Sequence, residues 1–118
     1  LTRGARYAAE LLEELRERTP GIQILCAGKL PSGTAEKLSL RDALTPAERR
    51  GRGNAYARGG WWLHDRILTD TTLTVIRADV FARRDLLDPR SGTPLPTYRR
   101  QRYTGGIGRY FPIFLYIK

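Results

Sequence analysis

The chain has 118 residues, 41% hydrophobic and 28% charged, with a formal net charge of +9. That length suits one domain with a real core, burying roughly two-thirds of the surface its unfolded chain would expose. No apolar run approaches the ~18 residues of a membrane helix, and one cysteine with one histidine leaves no ligand set for a structural zinc.

The expected class is α+β: an N-terminal amphipathic helix packed on a mostly antiparallel sheet of about five strands, with one or two short helices. A single domain over residues 1–118 is expected. Methionine is absent even at position 1, so the chain reads as a processed protein or an excerpt of a longer one. The lone Cys26 has no partner for an internal disulfide, which suits the cytoplasm or another reducing compartment.

Residues 5–18 carry Ala8, Leu11, Leu12 and Leu15 at i, i+3, i+4, i+7, one apolar helical stripe. Pro20-Gly21 ends that helix. Ile22 to Cys26 reads as a strand with Ile22, Ile24 and Cys26 on one face. Residues 27–38 form a loop, because Gly28, Pro31 and Gly33 break any periodicity, and their spacing does not match a phosphate-binding loop. Ser39 to Leu44 predicts a short helix with Ser39 as its cap. Thr45-Pro46-Ala47-Glu48 predicts a second, with Thr45 capping, Pro46 in the first turn and Glu48 completing a capping box. Residues 50–60 read as a basic loop.

Trp61 to Leu68 and Leu73 to Phe81 predict an antiparallel hairpin across Thr69 to Thr72. Residues 82–96, with Pro89, Pro94 and Pro96, form a loop after a helical turn near Arg83–Leu87. The last stretch predicts a second hairpin, Thr97 to Tyr103 against Arg109 to Lys118, closed by Thr104-Gly105-Gly106-Ile107-Gly108. In its second strand Arg109, Phe111, Ile113, Leu115 and Ile117 share a face, and Pro112 suits an edge or a bulge. The run Arg66 to Asp70 through Arg77, followed by Gly92-Thr93-Pro94-Leu95, resembles strands of the chorismate lyase family over less than half the chain. There is no acidic residue after Asp88, where that family places one, so no site residue carries over.

Charge is unevenly distributed. Residues 45–60 hold Arg49, Arg50, Arg52 and Arg58 against Glu48, and residues 91–118 hold five bases and no acid. Eight of the nine surplus charges therefore lie in two segments. Arginine outnumbers lysine 18 to 3, and its planar fork suits phosphate and stacks on aromatic rings. The leading expectation is a binding module without catalysis, for nucleic acid or another polyanion. Its site would use Arg49, Arg50, Arg52, Arg58, Tyr98, Arg99, Arg100, Arg102, Tyr103, Arg109 and Tyr110, aromatics stacking bases while guanidiniums hold phosphates. No metal and no cofactor is implied. An alternative is an interaction or assembly subunit that meets an acidic protein through this face. Trp61 and Trp62, adjacent and so on opposite faces of a strand, would offer one ring for such a contact. A third reading is a small metal-independent ribonuclease of the toxin type, with His64, Glu48 and Arg66 as the acid–base and phosphate groups.

Overall fold

The N-terminal periodicity forms helix α1 (Arg3–Arg18) in a computed structural model of the chain, which describes residues 3–96, 98–104, 106 and 108–118. The buried stripe is shifted by one residue from the expected one. Ala9 is buried and Leu12 packs on the core, while Leu11 and Leu15 stay exposed. The cause is Arg16, which is drawn inward to donate to the Leu38 carbonyl at 2.9 Å and to pair with Asp70.

After α1 come β1 (Leu25–Ala27), α2 (Thr34–Lys37), β2 (Leu40–Asp42), α3 (Thr45–Arg49), β3 (Ala55–Ala57) and β4 (Gly60–Trp62). Then follow β5 (Ile67–Asp70), β6 (Val75–Val80), a 3-10 turn (Arg84–Leu86), β7 (Tyr98–Arg99), β8 (Arg102–Tyr103) and β9 (Ile113–Ile117). The class is α+β, with short strands in one three-stranded and three two-stranded sheets among the described residues. No helix among them is long and apolar enough to cross a membrane.

The chain divides into two compact units, each assembled from separated segments. One comprises Leu1–Ala43, Asp65–Arg77 and Leu115–Lys118; the other comprises Leu44–His64 and Ala78–Phe114. In the first unit β5 is the central strand of an antiparallel sheet, order β1-β5-β2, with Cys26 opposite Leu68 and Arg41 opposite Thr69. Its core is Ile24, Leu38, Leu40 and Leu68, with Leu12, Cys26, Leu30 and Ala35 packed against it. Burying each large aliphatic contributes about 1.5–3 kcal/mol.

Several local expectations are corrected. The hairpin of residues 61–68 with 73–81 does not form. Both edges of β5 are taken by β1 and β2, so β6 pairs with β9 instead. Residues 40–42 are a strand, not a helix, because their backbone groups complete the ladder on β5 while Leu40 is buried. The expected loops contain elements: α2 lies in 27–38 and β3 in 50–60. Helix α3 starts where expected, but Leu44 occupies the cap position and no side chain caps it. Residues 98–103 do not pair with 109–118; β7 folds back on β8 within six residues, and the expected closing turn includes Gly105 and Ile107, which lie outside the described residues. The β9 face fades outward, from buried Phe111 through half-buried Ile113 and Leu115 to exposed Ile117.

Asp70 joins the first unit. Its carboxylate accepts from the Thr72 amide at 3.1 Å, the Thr72 hydroxyl at 2.8 Å, the Ile24 amide at 3.3 Å and Arg16. Burial pushes its pKa up, but these hydrogen bonds and the Arg16 charge outweigh it and hold it below the ordinary 3.8. A depressed folded-state pKa gives stability that is complete above the unfolded value and is lost as pH falls through the folded one. In thermal melts, Asp70→Asn is expected to be less stable at neutral pH and to lose less stability than wild type below about pH 4. The neighbouring Thr69 is fully buried, and its hydroxyl has no hydrogen-bond partner among the described residues. Thr69→Val keeps the shape and removes that stranded polar group, so denaturant titration should show it unchanged to about 1 kcal/mol more stable; a clear loss of stability would refute this.

Candidate polyanion-binding site

The second unit is built around Asn54, which is fully buried. Its backbone amide donates to the Trp62 carbonyl at 3.0 Å and its carbonyl accepts from the Phe111 amide at 2.8 Å. Its side chain donates to the Phe111 carbonyl at 3.1 Å and accepts from the His64 amide at 2.8 Å. One residue thus fixes three stretches of chain. Gly53 beside it has no room for a side chain, since a Cβ there would lie 2.6 Å from the Trp62 nitrogen.

From this anchor β3 and β4 run out as a hairpin with Ala57 opposite Gly60. Its two-residue turn, Arg58-Gly59, has positive φ at both positions, 51° and 77°. That is the geometry of a type I′ turn, in which Asn or Gly is favoured at the first position. Tyr56 stands opposite Trp61, with ring centroids 5.4 Å apart edge to face, and Trp61 stacks on Phe111 at 5.7 Å and 16°. Trp62 alternates to the other face. It meets His64 edge-on at 4.9 Å, and His64 lies flat on Tyr110 at 4.3 Å and 4°.

The hairpin of β7 and β8 repeats the device. Its turn residues, Arg100 and Gln101, have φ of 49° and 68° without any glycine. Non-glycine residues in this region are strained. Both tips therefore place an arginine where the backbone would favour a smaller residue. The base of this arm is tied down: Asp88 pairs with Arg99 and accepts from the Arg90 amide at 3.0 Å, and the Asp88 amide donates to Thr93 at 2.8 Å. The Thr104 hydroxyl donates to the Pro96 carbonyl. A shallow depression of about 450 Å³ is lined by Arg99, Arg100, Arg102, Tyr103 and Thr104, and Tyr103 is 70% exposed.

Residues 45–60 and four of the five bases of residues 91–118 belong to this one unit; Lys118 falls in the first. The second unit holds eleven arginines and four acids, a net +7 of the chain's +9. Its three aspartates are all bound by arginine. Asp79 takes Arg52 at 3.1 Å and Arg50 at 3.6 Å, Asp85 takes Arg83 at 2.9 Å, and Asp88 takes Arg99. Burial raises the Asp79 pKa, but the Val80 amide and the two arginines bring it below the ordinary value; the Arg99 bond does the same for Asp88.

The expected site residues sort accordingly. Arg50, Arg52 and Arg99 are engaged inside the unit. Arg49, Arg58, Arg100, Arg102 and Arg109 are exposed, with no carboxylate partner among the described residues. Tyr103 is exposed, Tyr110 is held against His64, and the side chain of Tyr98 lies outside the described residues. Of the ribonuclease set, His64 is bracketed by Trp62 and Tyr110, Glu48 sits on α3, and Arg66 belongs to the first unit, bound to Asp42 at 3.1 Å. No group of three His, Cys, Asp or Glu among the described residues is placed to hold a metal ion. Sequence reasoning passed over Asn54, Asp79 and Asp88. A buried polar residue gives no periodic signal, and Arg58-Gly59 is not among the dipeptides that mark a two-residue hairpin. No family model, curated protein or solved structure matches the chain.

The Asp88–Arg99 tie predicts a measurable change in the arm. In Asp88→Ala, limited trypsin digestion should cut after Arg99, Arg100 or Arg102 severalfold faster than in wild type, while the melting curve moves little. Equal rates would show that the pair does not restrain the arm.

Proposed function

We propose that the chain binds a nucleic-acid strand or another polyanion through its arginine-rich second unit, without catalysis. The observation that carries this reading is the pair of tight hairpin tips, Arg58 and Arg100. Each accepts a left-handed backbone in order to place a guanidinium at the surface of a unit carrying +7. Folding alone gives no reason for arginine there, because Gly or Asn serves such turns better. Arg102 and Arg109 add charge, and Tyr103 adds an exposed ring beside them. Internal pairing leaves these arginines free for an incoming anion: every aspartate of the unit already has its own. Surplus positive charge gathered in one compact body is the electrostatic footprint of a polyanion binder.

Binding driven this way releases condensed cations, so affinity falls steeply with salt. Fluorescence anisotropy with a labelled single-stranded oligonucleotide at several salt concentrations measures this. Arg100→Gln/Arg102→Gln is expected to weaken binding at least tenfold at low salt and to reduce the log–log salt slope by about 1.4, roughly 0.7 for each phosphate no longer neutralised. A wild-type protein that ignores RNA, DNA and polyphosphate at low salt would sink the proposal. RNA recovered from the mixture should be intact; cleavage that disappears in His64→Ala would support the ribonuclease reading in its place.

A further inference from the structure

Resting on the reading just given, we infer that the ligand is an unpaired nucleic-acid strand, one base of which stacks in a groove beside Trp61. The groove has a volume of about 290 Å³ and is lined by Trp61, Phe111, Ala82 and Leu87, together with Arg52 and the backbone of three glycines. Its lining is largely apolar and contains no acid. Phosphate or sulfate chains gain nothing from such a surface. A base gains stacking on the indole, and every base has a π-face to offer.

The surroundings fit the rest of a strand. Trp61 is held from two sides, edge-on by Tyr56 and in parallel by Phe111, so its ring is ordered before any ligand arrives. Preorganised rings lose little entropy on binding. Two residues beyond Tyr56 is Arg58, at the tip of the same hairpin and without a carboxylate partner among the described residues. At the other end of the groove's chain segment, Arg52 is fixed by Asp79 and by the Val80 carbonyl at 3.2 Å, which orients its guanidinium without neutralising the unit's surplus charge. Gly53 matters here for its size: any side chain would strike Trp61 and Trp62. A duplex keeps its bases inside its own stack and has none to place against Trp61, so the site favours unpaired strands over duplexes of equal charge.

The test uses the full chain carrying Trp62→Phe, which leaves Trp61 as its one tryptophan. Titration with an oligothymidylate of about 12 nucleotides should quench that fluorescence, and titration with polyphosphate should not, although anisotropy shows both bind. Trp61→Ala should weaken oligothymidylate binding about tenfold and leave polyphosphate binding within twofold. Trp61→Phe, which keeps a ring against Phe111, guards against a folding defect and should recover most of the loss. The inference is overturned, with polyanion binding intact, if quenching is absent, if Trp61→Ala weakens both ligands equally, or if a duplex or an acidic peptide of equal charge binds as tightly as the single strand. Failure to bind any of the four overturns the polyanion reading as well.

Discussion

The second unit depends on one buried amide. Asn54 uses its backbone and its side chain to hold the segments around Trp62, His64 and Phe111, four hydrogen bonds from a residue with no exposed surface. Two of those bonds belong to no β ladder. They replace ladder bonds at a point where short strands end and the next segment arrives from far along the chain. Buried backbone groups must find partners, and a carboxamide, with both donor and acceptor, satisfies one of each at once. Asp70 plays the matching part in the first unit, where a carboxylate gathers two amides, a hydroxyl and a guanidinium. Strands of three residues are too short to be stable by pairing alone. Such polar joints let them persist.

The same economy governs charge. An arginine-rich surface tends to repel itself, and the second unit places its aspartates where they tie loops: Asp79 beneath Arg50 and Arg52, Asp88 beneath Arg99. These pairs orient some guanidiniums and keep the arm's base in place. What projects beyond them is unneutralised arginine at two tips and around one depression. Exposed ion pairs contribute little to stability. The value of the arrangement lies in where it leaves the positive potential, which is the property that a polyanion would meet.

The parts of the fold legible in the sequence were those set by neighbours along the chain. Helix α1 follows from its apolar period, α3 from Pro46, and the α+β class from the alternation of patterns. The gathering of charge was legible too, because composition by segment needs no pairing scheme. Strand partners were not. Nothing in Ile67 to Asp70 says that β1 and β2 will occupy both its edges, and once they do, the obvious partner, β6, has to pair with β9. The turn between β7 and β8 was not legible either, since it falls at Arg100-Gln101, residues that ordinary turn preferences disfavour. Leu15 looked like core, but it stays exposed while the buried carboxylate at position 70 draws Arg16 inward. In each case an interaction distant in sequence overrode a local preference.

The interleaving of the two units governs how the chain can be taken apart. Asp65–Arg77 belongs to the first unit yet lies between the two halves of the second, and Leu115–Lys118 returns to the first after the second is complete. No single cut yields either unit as a continuous fragment. During synthesis the second unit cannot close until Phe114 has emerged, nor the first until Leu115–Lys118 has, so Trp61 waits several seconds for Phe111 at ordinary translation rates. Closing contacts of such wide sequence separation is slow. Deletion mapping would report every region as essential, and the cause would be the route of the chain, not the location of a binding surface.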